Sequence, residues 1–239
     1  MIMALIEVSN LSKIYGDGIE TRALDGVSLK IEEGEFVAIM GPSGSGKSTL
    51  LHILGFLDKP TGGDYLYKGR SANAYSDDEM SRLRNREMGF VFQSFNLLPR
   101  TSVYENVKLP LYYSDIPEKK WDEMAKKAVE AVGLTQRAHH QTSELSGGEQ
   151  QRAAIARALV VDPTVIFADE PTGNLDSKSG QVVIDLLQNL QRKSGRTIIL
   201  VTHETITAEH AKRIILLKDG KVESDRQVAR QKDLDDYQK

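Results

Sequence analysis

The sequence predicts an α/β fold with a mainly parallel sheet, an N-terminal antiparallel β subdomain and an inserted helical subdomain. Three observations lead there. The first forty residues read as strands, later short apolar runs alternate with helical patterns, and a middle stretch from about Phe95 to Arg157 is helical with no convincing strand. Strand–helix alternation favours a wound α/β core. Continuous apolar runs suit strands buried on both faces of a parallel sheet.

Each element follows in chain order. "ALIEVSNLSKIY" alternates, "ALDGVSLKIEEGEFVAIM" holds two β-rich runs joined by a turn at Glu33-Gly34, and "GDYLYKG" fits a short hairpin. Met88–Phe92, Val165–Ala168, Thr197–Val201 and Arg213–Leu217 are short, apolar and rich in β-branched residues. Helical patterns cover Ser48–Phe56, Asp77–Arg86, Glu118–Val132, Gly147–Val160 and Lys178–Lys193. The expected organisation is a core of 1–94 and 158–222 with its β subdomain, a helical subdomain of 95–157, and a polar C-terminal tail of 223–239. Beyond a hairpin turn at Asp219-Gly220 the tail's composition suits a solvated helix or a frayed end.

Composition narrows the function classes. Among 239 residues, 31 are Lys or Arg and 34 Asp or Glu, mixed along the chain for a net charge of −3. No basic stripe points to nucleic acid, and no basic amphipathic helix points to direct membrane insertion. No apolar run approaches the roughly 18–20 residues needed to cross a bilayer, so a soluble chain is expected, with any membrane role coming through a partner. With no cysteine, disulfides and thiolate metal sites are excluded, which fits the cytosol. The adjacent His139 and His140 do not share a helix face and make a poor metal site.

The chemistry concentrates in motifs. "GPSGSGKST" (Gly41, Pro42, Ser43, Gly44, Ser45, Gly46, Lys47, Ser48, Thr49) matches G-x-x-x-x-G-K-[ST] between the strand "FVAIM" and the apolar helix "TLLHILGFL". That context identifies a phosphate-binding loop, and with it a P-loop NTPase core. The glycines let backbone N–H groups wrap a phosphate at a helix N-terminus. Lys47 supplies a point charge for the β- and γ-phosphates, and Ser48 a hydroxyl for Mg²⁺. "TVIFADE" ends an apolar strand in two acids whose side chains point to opposite faces. Asp169 then suits the metal or its water, and Glu170 the attacking water. "LVTHE" brings His203 to the carboxyl end of another strand, where open α/β sheets bind ligands. From there it can donate to the γ-phosphate.

"LSGGEQ", Leu145–Gln150, is a second glycine-rich helix start. A serine cap with glycines for close packing accounts for part of it, not the whole string. Here the sequence resembles the ATP-binding-cassette (ABC) ATPases over nearly its whole length. Leu145–Gln150 is similar to the family signature. Gln93 in "VFQSFNLLP" is similar to the glutamine at the junction of core and helical lobe, a further candidate for Mg²⁺. Tyr15 matches the aromatic that stacks on adenine, and "GNLD" ending at Asp176 the loop that reaches a partner subunit. His203 matches the switch histidine, with Glu204 after it where Asp is commoner.

The resemblance implies ATP and Mg²⁺ as ligands and an ATP-dependent homodimer packed head to tail. Ser146, Gly147, Gly148, Glu149 and Asp176 would then act in trans on the ATP bound by the other chain. "GDGIETRAL", "SFNLLPRTSVYENVKLPL" and "ADEPTGNLDSKSG" resemble the LolD-, MacB- and FtsE-like branch. That branch powers lipoprotein release, macrolide and peptide export, or cell-division complexes through integral membrane permease partners, from the cytoplasmic face. Gln93–Tyr113 would face such a permease, or its apolar residues Phe95, Leu97, Leu98, Tyr112 and Tyr113 would be core of the helical lobe. The alternative is a soluble ABC-type ATPase in cofactor assembly or cell division. Repair types need a long coiled coil and translation types two cassettes, and neither is present. A regulatory module without turnover is opposed by Glu170, His203 and the signature together.

Overall fold

The computed structural model describes residues 4–16, 20–229 and 231. Its strands and α-helices run β1 (Ala4–Tyr15), β2 (Thr21–Glu32), β3 (Phe36–Met40), α1 (Lys47–Leu54), β4 (Gly62–Tyr67), β5 (Arg70–Ser71), α2 (Asp77–Glu87) and β6 (Met88–Phe92). They continue with α3 (Val103–Lys108), α4 (Trp121–Ala131), α5 (Gly147–Leu159), β7 (Val165–Asp169), α6 (Ser177–Ser194), β8 (Thr197–Thr202), α7 (Thr205–Ala208), β9 (Arg213–Lys218) and β10 (Lys221–Gln227). The chain forms two compact units, one from 1–80 with 190–239 and one from 81–189.

The first unit carries an antiparallel sheet in the order β2-β1-β4-β5. In β1 and β2 buried and outward residues largely alternate, with Leu5, Ile6, Val8, Leu11, Leu24, Val27 and Ile31 all buried, as a sheet with one covered face requires. Its second set of strands runs β10-β9-β3-β8. β3 is parallel to both neighbours, with Met40 opposite Thr202 on one side and Leu216 on the other. β8 is buried along its whole length and β3 in all but its last residue, which is why both read as unbroken apolar runs.

The 223–239 stretch differs from its expectation at its start: Lys221–Gln227 is strand β10, antiparallel to β9. The turn at Asp219-Gly220 has positive φ at both residues, +48° and +75°. Every residue of β10 is exposed except the half-buried Val222, so its polar composition is that of an edge strand rather than of a free end. Arg213 fastens it, donating from Nε and Nη2 to the two carboxylate oxygens of Asp225 at 2.6 Å each. Residues 230 and 232–239 lie outside the described residues, as do residues 17–19 of the "GDGIETRAL" insertion.

The second unit holds β6 and β7 as a parallel pair with Phe92 opposite Asp169. Between residues 95 and 157 its described elements are helical: α3, α4, α5 and short 3-10 turns. α3 opens on a capping box, with Ser102 accepting from the Glu105 N–H while the Glu105 carboxylate accepts from the Ser102 N–H. Of the five apolar residues left open between core and docking surface, Leu98, Tyr112 and Tyr113 are exposed, by 45%, 60% and 76%, while Phe95 and Leu97 are half-buried. None of the five is core.

Candidate functional site

In the first unit, the loop after β3 is shaped by close approaches that exclude side chains. A Cβ on Gly41 would stand 2.1 Å from the Leu217 carbonyl oxygen, and one on Gly46 2.3 Å from that of Ala23. Gly44 and Gly46 are left-handed, at φ +79° and +96°, which glycine alone adopts without strain. Gly46 caps α1 without a side-chain hydrogen bond, so the first N–H groups of this helix face the loop. Lys47 is buried and donates from Nζ to the Pro42 carbonyl at 2.9 Å. Pro42, Ser43, Gly44 and Ser48 are exposed, and Thr49 is half-buried. Ser45 is 2% exposed, and its Oγ has no hydrogen-bond partner among the described residues.

Two further expected residues lie in the same unit. Tyr15 ends β1 and is 41% exposed. Its hydroxyl donates to Asp58 Oδ2 at 2.7 Å and has the Thr49 side chain as another hydrogen-bond partner. Burial, then the bond to Asp58, pushes the hydroxyl above its ordinary pKa. His203 follows β8 and is exposed. Because Met40 and Thr202 are opposite each other in parallel strands, His203 and the phosphate loop leave the sheet at one edge. Glu204 caps α7 and accepts from the Thr207 hydroxyl at 2.7 Å.

The second unit gathers the remaining expected residues. Gln93 and Glu170 follow β6 and β7 at the edge where Phe92 meets Asp169. Glu170 is held at φ +45°, a left-handed conformation that costs a non-glycine residue about 1–3 kcal/mol and marks functional turns. Gln93 donates from Nε2 to Asn174 Oδ1 at 3.4 Å, and Asn174 Nδ2 returns a bond to the Gln93 carbonyl at 3.0 Å. Gly173 packs so closely on Gln93 that a Cβ would stand 2.6 Å from Nε2.

The signature opens α5. Ser146 is the N-cap of a capping box: its Oγ accepts from the Glu149 N–H, and the Ser146 N–H donates back to Glu149 Oε2 at 2.9 Å. The Ser146 backbone bond, then the Ser146 hydroxyl, hold the Glu149 carboxyl below the usual range. The glycines serve packing as well, since a Cβ on Gly148 would meet Ser179 at 2.9 Å and one on Gly147 would meet Leu175 at 3.3 Å. Asp176 accepts from the Ser179 N–H at 3.0 Å and the Ser179 hydroxyl at 2.7 Å, capping the first turn of α6. Both loops therefore present helix starts already closed by their own side chains.

Two residues escape the sequence reading. Gln151 is fully buried, donates from Nε2 to the carbonyls of Pro171 at 2.8 Å and Phe92 at 3.3 Å, and has no partner for its Oε1 among the described residues. It ties the signature helix to the residues just before Gln93 and just after Glu170. Its spacing from buried Gly148, Ala154 and Ile155 was the available signal. Asp58 is the other, 43 positions along the chain from Tyr15, with no local pattern to flag it.

The residues fit a nucleotide and a hard cation. Buried Ser45 Oγ has no hydrogen-bond partner among the described residues, and the glycine-walled loop lets a phosphate approach the backbone. Ser48 in the first unit, and Gln93 and Asp169 in the second, each carry a side-chain oxygen of the kind Mg²⁺ takes. Among the described residues no cluster of His, Cys, Asp and Glu could hold a metal by itself, and a cation carried by phosphates and water needs none.

Residues 24–173 match the ABC transporter family. Over 223 residues the chain is 54% identical to the macrolide export ATP-binding/permease protein MacB of Chlorobaculum tepidum, a match covering 93% of this chain and 34% of that protein. The chain thus spans about a third of the length of its MacB relatives. An uncharacterized ABC transporter ATP-binding protein of Methanocaldococcus jannaschii is 52% identical, covering 91% of this chain and 97% of that one. Among solved structures, the ATP-binding cassette MJ0796, dimeric and in a post-hydrolysis state bound to ADP and Pi, superposes with a TM-score of 0.85 at 44% identity, covering 93% of this chain and 98% of that one. On the phosphate loop, the signature helix and these matches together, the chain belongs to the ABC transporter family, as an ATP-binding cassette.

Proposed function

We propose that the chain hydrolyses ATP as the motor subunit of a membrane complex of the lipoprotein-release, macrolide-export or peptide-export type. The observation that carries this reading is the exposed Ser146 N-cap of α5, a second glycine-rich helix start in a chain that already has a phosphate loop. A cassette of nearly the same length is known as a dimer with ADP and Pi. Two copies of this chain pack head to tail, and Ser146, Gly147, Gly148, Glu149 and Asp176 of one complete the site of the other.

Within a site, the N–H groups of Gly41–Thr49 wrap the β-phosphate and Lys47 exchanges the Pro42 carbonyl for phosphate oxygens. Ser48, Gln93 and Asp169 would hold Mg²⁺, which would offset negative charge on the phosphates. Glu170 orients and polarises the attacking water, and His203 donates to the γ-phosphate as charge develops there. Tyr15 stacks on adenine. Residues 1–94 and 158–222 act as the α/β core and 95–157 as the helical subdomain that carries the signature.

The permease docks along Gln93–Tyr113. Leu98, Tyr112 and Tyr113 are exposed there, and Tyr113 lines a groove of about 650 Å³ with Arg82, Arg86 and Lys120. Exposed aromatics beside a groove mark an interaction surface. No helix among the described residues is long and apolar enough to cross a membrane, and in this reading the permease holds the chain at the cytoplasmic face. Glu170→Gln tests the centre of the reading. It is expected to bind ATP with near-normal affinity, turn over at least about a hundredfold more slowly, and accumulate as an ATP-bound dimer on size exclusion. A variant that stays monomeric in saturating ATP overturns the shared-site arrangement.

A further inference from the structure

We infer that Asp58 is a positioning residue for nucleotide binding, orienting the Tyr15 ring from the loop that follows α1. Tyr15 is the last residue of β1, paired with Thr21 of β2, and its ring reaches beyond the strand. Its hydroxyl supplies the direction, donating to Asp58 Oδ2 at 2.7 Å. Asp58 is in turn anchored. Its Oδ1 accepts from Lys13 Nζ at 2.6 Å and from the Lys59 N–H at 2.7 Å, and Lys13 also donates to the Lys59 carbonyl at 2.7 Å. Lys13 is buried, and its ammonium lies over the Tyr15 ring, 4.8 Å from the centroid. One face of the ring is therefore covered by a cation fixed to the same carboxylate, and the ring's 41% exposure leaves the other side for a base.

The same hydroxyl reaches Thr49, the last residue of the phosphate loop motif. This places the ring beside the phosphate loop. A stacking platform held before the ligand arrives loses less conformational freedom on binding. Asp58 thus acts on affinity for the base and leaves the phosphate chemistry alone, so its removal raises the KM for ATP and spares kcat. This rests on the reading of Tyr15 as the adenine platform.

The experiment compares Tyr15→Phe, Asp58→Ala, their double variant, Asp58→Asn and Tyr15→Ala in the full chain. Steady-state ATPase kinetics are read together with inhibition by inorganic tripolyphosphate, which carries no base. Tyr15→Phe and Asp58→Ala are each expected to raise the KM for ATP about three- to tenfold with kcat within about twofold, the loss of one hydrogen bond to a charged acceptor. The double variant should be no worse than either single one, and tripolyphosphate inhibition should not change. Asp58→Asn, which keeps an acceptor for the hydroxyl, should recover most of the affinity. Additive effects, a fall in kcat at constant KM, or a parallel loss of tripolyphosphate binding overturns the inference. If Asp58→Ala does not fold, Tyr15→Phe still decides, since an unchanged KM there is equally fatal. If Tyr15→Ala itself leaves the KM unchanged, the adenine platform is wrong and Asp58 falls with it. If Tyr15→Ala weakens binding while Tyr15→Phe and Asp58→Ala do not, the platform stands and only the positioning role fails.

Discussion

A carboxylate held at the mouth of a helix is sensitive to protons, and Glu149 shows the direction. Its pKa is depressed below the ordinary 4.5, first by the Ser146 N–H and then by the Ser146 hydroxyl. A depressed carboxylate stabilises the fold fully above its unfolded pKa and loses that contribution as pH falls through the folded one. Glu149→Ala should therefore melt at a lower temperature than the parent at neutral pH, with the gap closing below pH 4.5. Thermal melts of both chains from pH 7 to pH 3 check this, and a gap that does not change with pH would show that the carboxylate charge contributes nothing. The same residue illustrates what single positions reveal. Glycines, acids and a lysine at fixed spacing state their chemistry in the sequence, because backbone approach and charge are properties of one residue and its neighbours. Asp58 and Gln151 do not, because each acts on atoms that only the fold brings near: a tyrosine hydroxyl at the end of β1, and carbonyls belonging to Phe92 and Pro171.

Elements were legible wherever burial imposed a period. β3 and β8 read as apolar runs because neither face meets water, and α6 as a helix because it buries Val183, Ile184, Leu187 and Leu190 on one face. β10 escaped because an exposed edge strand carries no such period. Its place comes from the hairpin turn and from Arg213, which also donates to the Lys30 carbonyl at 2.9 Å and to Glu35 at 3.1 Å. The guanidinium is largely buried, at 15% side-chain exposure, and its bonds to Asp225 first raise its pKa further above an already high value. Arg213 is thus charged at all working pH values, and its paired fork is geometry that a lysine lacks. Arg213→Ala should cost about 2–3 kcal/mol in urea unfolding, as the loss of hydrogen bonds between charged groups does. Arg213→Lys should recover less than half of that. A loss below about 0.5 kcal/mol would place the pair among solvent-screened surface ion pairs and leave β10 held by its ladder alone.

At the scale of the whole molecule, the question is why one chain carries the parts for two phosphate contacts. The proposed head-to-tail pair would answer it, and it has a consequence that no single-site enzyme shares. Lys47→Ala removes the charge for the chain's own nucleotide, and Ser146→Arg blocks the contact it lends to the partner's. Each variant alone has two damaged sites per dimer and should be inactive. In a mixed dimer the damage is unequal. One site combines the altered Lys47 of the first chain with the altered Ser146 of the second, while the other combines the intact Lys47 of the second with the intact Ser146 of the first. Mixing equal amounts makes half the dimers mixed, each with one whole site, so about a quarter of parental ATPase sites should return. Activity measured against the mixing ratio should peak at one to one and vanish at both ends. If each chain completed its own site, every mixture would stay as inactive as its components. That outcome would confine the Ser146 capping box to its local role at the start of α5.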